Sequence, residues 1–172
     1  MRRRKSRVLT FSLTLSLVLG ISPTVFGEIF YPNEPEIICK TATPGLSLLC
    51  VKGLRIQLGA TDEFKGYHPV QGMEVFLLPY DGPDIGSITP DQIKDKAVSS
   101  GSTNEEGDLS LVVSPAKYFF CAMGQLPWSS RVNWSCQEIE LKADVPRKIM
   151  VSQYPRGGEL LIEIKAAFYG TK

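Results

Sequence analysis

Leu109, Leu111 and Val113 alternate with Ser110 and Val112, the period of a strand with one buried face. Ser102 to Asp108 before them is a polar turn containing Asn104 and Gly107. Pro115 after them cannot donate to a ladder, and Tyr118-Phe119-Phe120 opens a new strand. The stretch Lys96 to Met123 therefore reads as strand, turn, strand, Pro-marked bend, strand, and the rest of the chain repeats that grammar. Leu46 to Val51 is a short apolar run, and Leu54-Arg55-Ile56-Gln57-Leu58 alternates cleanly. Gly59 to Tyr67 is a polar loop. Met73 to Leu78 is apolar on both parities after Met73, which predicts a central strand covered on one face and partly on the other. Val132, Trp134 and Cys136 share one face of a further strand that continues through Ile139 and Leu141. Val145-Pro146 marks a bend, Ile149 and Val151 a strand, Arg156-Gly157-Gly158 a tight turn, and Leu160, Ile162 and Ile164 the last strand.

One helix signal interrupts this list. Thr89 can cap, Pro90 suits the first helical position, and Gln92 completes a capping box. The run to Lys96 allows two turns, an insertion between strands and not a core element. Seven or eight short strands with one short inserted helix predict an all-β, antiparallel β-sandwich.

Residues 1–27 stand apart. Arg2, Arg3, Arg4, Lys5 and Arg7 form a basic head, Val8 to Ile21 carries no charge, and Val25-Phe26-Gly27 fits a cleavage site. That order is the signature of a secretory signal peptide, and the apolar run is short for a span of about 20 residues. Removal leaves 145 residues: an extended arm over 28–52, with Pro32, Pro35, Cys39 and Cys50, and a sandwich over 53–172. Five of the 19 basic residues go with the signal, so 14 face 18 acidic residues, a net of −4. A mildly acidic chain without a basic cluster has no footprint for nucleic acid, and once the signal is gone no stable membrane insertion is expected.

Cys39, Cys50, Cys121 and Cys136 all lie in the exported part. An even number in an oxidising compartment predicts two disulfides in one of three pairings, of which Cys39–Cys50 with Cys121–Cys136 is the local one. Spacings of 11 and 15 do not suit a zinc site, and there is no CxxC. No metal or other cofactor is expected. Asp81 with Asp84, or Glu105, Glu106 and Asp108, could offer oxygen ligands to calcium, but acidic residues and glycines at turns need no ion to explain them.

Certain residues carry a resemblance. Pro69-Val70-Gln71-Gly72-Met73-Glu74-Val75-Phe76-Leu77 is similar to the opening strand of carboxypeptidase regulatory-like domains. Thr103-Asn104-Glu105-Glu106-Gly107-Asp108-Leu109 resembles that family's Thr-Asp-x-x-Gly-x-Phe turn, and Pro115-Ala116-Lys117-Tyr118 its Pro-Gly-x-Tyr. The chain departs from the pattern at Asn104, Leu109 and Ala116. The match spans about 53–123 and is shared with transthyretin-like and collagen-binding B-type domains. It implies a prealbumin-like sandwich and no chemistry, since such domains serve as structural, adhesive or binding modules. Two enzymes of that architecture, intradiol dioxygenases and hydroxyisourate hydrolases, need several histidines, and this chain has only His68. An isopeptide crosslink at Lys165 lacks its Asn partner.

His68 reads as a solvated loop histidine before it reads as a general base, because no nucleophile accompanies it. Trp134 reads as core beside a disulfide. Trp128, next to Pro127 in a loop, is the better candidate for an exposed aromatic, although burial is weighed ahead of exposure there too. Trp128, Arg131, Tyr67 and His68 are the candidate binding residues, on loops 59–69, 79–92 and 124–131; no catalytic residue is expected. The expectation is an exported module, periplasmic, cell-surface or extracellular, without catalytic activity, that presents loops to a protein or carbohydrate partner. Two alternatives are a subunit of an envelope or surface assembly whose arm over 28–40 adds a strand to a neighbour, and a small secreted enzyme using acidic and Tyr side chains.

Overall fold

The computed structural model describes residues 35–59, 63–82, 84–156 and 159–166. The signal segment over 1–27, the start of the arm, the Gly157-Gly158 turn and the 168–171 tail lie outside them. In chain order the elements are β1 (Ser47–Leu58), β2 (Phe64–Pro69), β3 (Glu74–Pro79), α1 (Pro90–Lys96), β4 (Ser99–Ser102), β5 (Asp108–Val113), β6 (Ala116–Gln125), β7 (Val132–Leu141), β8 (Arg147–Arg156) and β9 (Glu159–Ala166). One sheet runs β2–β1–β8–β9, with β5 also paired to β1; the other runs β4–β3–β6–β7.

Four expectations are corrected. Nine strands form among the described residues, not seven or eight, and β1 pairs with β8 in parallel. The chain reaches β8 by crossing from β7 of the other sheet, so no hairpin dictates its direction. Phe64–Pro69, read as the end of a loop, is an edge strand held by pairing Leu54↔Pro69 through Leu58↔Phe64, which its own mixed pattern does not announce. The boundary drawn at 52/53 falls inside β1: the two apolar runs are one continuous strand through Gly53. Lys52 still pairs with β5, whereas Leu54 already pairs with β2.

The pleat sorts side chains into three cores. Leu49, Val51, Ile149 and Val151 from one sheet meet Val75, Leu77, Tyr118, Phe120, Ala122, Ile139 and Leu141 from the other. Leu109, Leu111 and Val113 pack on this cluster in the phase their alternation predicts. The two sheets thus lie face to face, each fully buried large side chain contributing about 1.5–3 kcal/mol.

The outer face of the second sheet is covered as well. Phe76, Leu78, Cys121 and Met123 pack against Ile88 and Ile93, the latter wholly buried on α1. The helix start is as predicted, with Thr89 Oγ1 accepting from Gln92 N and Gln92 Oε1 accepting from Thr89 N. Its role is larger than expected: inserted between β3 and β4, α1 carries a core of its own. On the outer face of the first sheet, Ile37 joins Leu48, Cys50, Leu54 and Met150. The described part of the arm is therefore docked on its own body, and the Cys39–Cys50 disulfide holds it there.

Candidate functional site

The β6–β7 loop is built to hold its shape. Leu126 is buried and anchors it. Ser129 N donates to Leu126 O at 3.0 Å, Gln125 Nε2 donates to Ser129 O, and Arg131 N donates to Ser129 Oγ at 3.1 Å. Arg131 Nη1 reaches Glu159 Oε1 at 2.9 Å and ties the loop to the start of β9. On this braced loop Trp128 is 73% exposed. Trp134, expected in the core, is 41% exposed. It stands on an edge strand, and the hydrophobic cluster under α1 takes Val132 and Cys136 on either side of it but not Trp134 itself. Both tryptophans are surface residues.

A second group of residues faces the same pole of the fold. Register places His68 of β2 opposite Arg55 of β1, and Arg55 opposite Gln153 of β8. The row one step inward is Val70, Gly53 and Val151, with Met73 packed on Gly53, and belongs to the core. At the His68–Arg55–Gln153 row the inner face of β2, β1 and β8 turns polar. His68 Nε2 and Gln57 Oε1 are 2.6 Å apart, so the imidazole donates from Nε2 to the amide oxygen. Gln153 is 1% exposed and sits beneath Gly124, where any larger residue would collide with its amide. Arg55 Nε and Gln153 Nε2 are buried with no hydrogen-bond partner among the described residues. A buried donor left unmatched costs about 1–3 kcal/mol. Gly124 adjoins Gln125, so the row and the braced loop share one end of the molecule.

The sequence-predicted residues are thus divided. Tyr67 and His68 are neighbours in the chain but point to opposite faces of β2. Tyr67 packs with the arm cluster and lies edge-to-face on Phe64 at 5.0 Å, while His68 looks inward. Trp128 and Arg131 belong to the β6–β7 loop. The four cysteines form Cys39–Cys50 and Cys121–Cys136, the latter directly across β6 and β7. Arg55, Gln57 and Gln153 were not legible as site residues. Leu54-Arg55-Ile56-Gln57-Leu58 alternates in the way of a strand with a solvent face, and only the end of the opposing sheet decides that its polar face looks inward.

Two of the acidic residues weighed as calcium ligands bond locally. Asp84 accepts from Gly86 N at 3.0 Å and from Ser87 Oγ, and Asp108 pairs with Lys52 at 3.0 Å. Among the described residues no three His, Cys, Asp or Glu side chains converge as a metal site would require, and no helix is long and apolar enough to cross a membrane.

No protein-family model matches the chain, and no curated protein matches it. Among solved structures, a point mutant of the shaft pilin SpaA from Lactobacillus rhamnosus GG is similar over 63% of this chain and 49% of that one, at 15% identity and a TM-score of 0.34. The chain therefore spans about half the length of that pilin.

Proposed function

We propose that the protein is an exported, non-catalytic binding module that presents one pole of a prealbumin-like sandwich to a protein or carbohydrate partner. The exposed Trp128 on a loop fixed by four polar contacts carries this reading. A large apolar surface held in place by hydrogen bonds loses little conformational entropy when it is covered, which is what a recognition residue needs. Two disulfides support export, since such bonds persist in oxidising compartments. The Asn104–Gly107 turn supports the sandwich type: Gly107 has φ +78°, and Asn104 Oδ1 accepts from Asp108 N at 2.7 Å. A non-catalytic role fits His68, whose ring is engaged by a neutral amide with no nucleophile in its row. The test is a glycan and purified-surface-protein array probed with the oxidised protein. Binding that Trp128→Ala abolishes without changing the melting temperature supports the module; binding indifferent to Trp128 overturns it.

One observation favours an assembly subunit as a second reading. Among the described residues β7 and β9 are paired on one side only, and they lie together along a trough of about 520 Å³ lined by Gln137, Tyr154, Ile162 and Glu163. The docked arm from Glu36 to Thr43 is not free to supply a neighbour's strand. Native mass before and after deletion of 28–34 tests that reading; an unchanged monomer in both removes it.

A further inference from the structure

We propose that the edge of β9 pairs antiparallel with β9 of a second copy of this chain, about a twofold axis at Ile164, and so joins two sandwiches into a dimer. This rests on the assembly-subunit reading above and names the partner that the β7–β9 side takes.

The edges of the two sheets are not alike. An edge strand is a template for another strand, and folded proteins blunt most of theirs with short length, bulges, proline or charge. β4 has only four residues. β2 has six, a register break at Gln57 and Leu58 of its partner, and Pro69 at its end. β5 also has six and stops just before Pro115. β7 is longer, but it carries Glu138 and Glu140, two charges of one sign. Among the described residues β9 pairs with β8 alone, and it is blunted in none of these ways. Its eight residues contain no Pro or Gly, and its ladder runs unbroken from Arg156↔Glu159 to Ile149↔Ala166.

The side chains of β9 select the partner and the register. Ile162 and Ile164 pack on the core yet stay half-buried. Glu163 and Lys165 alternate with them on the outer face, their side chains 41% and 37% exposed. In an antiparallel pair centred on Ile164, that residue meets the partner subunit's Ile164 and extends the core row begun by Val151. On either side of the axis Glu163 faces the partner subunit's Lys165 and Lys165 the partner subunit's Glu163, with opposed Cβ atoms about 4.5–5.5 Å apart. Centring on Glu163 would set two carboxylates against each other. Centring on Ile162 would set Glu163 against the partner subunit's Leu161, and Lys165 against the partner subunit's Glu159, a carboxylate that Arg131 already holds. The Ile164 register opposes each charge with its opposite. The edge is reached from solvent along the trough of about 520 Å³, which follows Leu161 to Ile164 and is lined on β7 by Ser135 and Gln137. A twofold contact of this kind uses the same strand on both copies and closes at two.

The experiment is sedimentation velocity on the oxidised protein, raised in concentration to roughly 0.2 mM. The proposal expects a reversible dimer. Glu163→Lys turns two opposite-charge pairs into like-charge pairs at once and should weaken it by about tenfold or more. Glu163→Lys combined with Lys165→Glu makes the edges complementary again and should return the affinity to within about threefold. Both positions are at the surface, so the melting temperatures of the variant monomers should match. A carbodiimide crosslink between Glu163 and Lys165 should join an isotope-labelled chain to an unlabelled one. A monomer throughout overturns the proposal and the assembly reading together. A dimer indifferent to Glu163→Lys, including one lost only on deletion of 28–34, overturns this edge and leaves the assembly reading standing. A double variant no tighter than Glu163→Lys, or a crosslink confined to single chains, overturns the register and the proposal with it.

Discussion

Gly53 N donates to Gly107 O at 2.7 Å, and the two glycines meet where β1 exchanges one partner for another. Up to Lys52 the strand is paired with β5, and from Leu54 with β2. Gly53 O in turn accepts from Val70 N at 3.0 Å, so both partners are stitched to the same residue. A Cβ on Gly107 would collide with Gly53 O and press on Pro69, and the residue already sits at φ +78°. Gly107→Ala is therefore expected to lower stability by about 1–3 kcal/mol. Urea denaturation of the two proteins measures it, and a loss under half of the lower bound would contradict the close approach.

Thr103 makes the companion tie. Its hydroxyl donates to Val70 O and accepts from Met73 N at 3.0 Å, and its main chain bonds Gly72 and Met73. Thr103→Val keeps the shape but leaves two buried groups unmatched, so a loss of about 1–3 kcal/mol is expected. The same denaturation experiment serves, with Thr103→Ser as the control that restores most of the difference.

Ile93 tests whether α1 is a structural lid. It is wholly buried against Phe76, Leu78 and Met123. Ile93→Ala should cost about 2–5 kcal/mol, whereas Thr89→Ala, which removes only the cap, should cost about 1 kcal/mol. A helix that merely decorates the surface would show neither.

The two disulfides should separate in their effects. Cys39–Cys50 fastens the arm to β1, so Cys39→Ser with Cys50→Ser should open the residues before Leu46 to limited proteolysis while the sheets survive. Cys121–Cys136 spans a loop of 15 residues between adjacent strands, and its removal should cost about 3 kcal/mol by loop entropy. Mass spectrometry of the protease fragments decides the first and thermal unfolding the second.

Lys117 lies 3.3 Å from Glu138 across β6 and β7, and its amino group is raised above the usual lysine value of 10.5 by that hydrogen bond and charge. A folded value above the unfolded one means the contact helps stability below pH 10.5 and the help fades as pH rises through the folded value. The pair lies at the surface, so the effect belongs to alkaline titration more than to ordinary stability. Side-chain NMR should show the Lys117 midpoint falling in Glu138→Gln; an unmoved midpoint would remove the pair as its cause.

Much of this protein is written locally. The alternation of Leu109, Leu111 and Val113, the capping box at Thr89 and Gln92, the turn at Asn104 and Gly107 and the two-sided apolar run of β3 each depend on neighbours within a few residues, and each is found as expected. Burial of whole faces is decided elsewhere. Trp134 shares a face with Val132 and Cys136, yet it is left exposed because the cover over β3 and β6 does not take it in. Tyr67 is packed and His68 is available because the arm crosses one face of β2 and nothing among the described residues crosses the other. Arg55 and Gln153 become neighbours only through the parallel pairing of β1 with β8, nearly a hundred residues apart in the chain. The period of a strand fixes which side chains share a face; what lies against that face depends on which distant strand arrives there and where it stops.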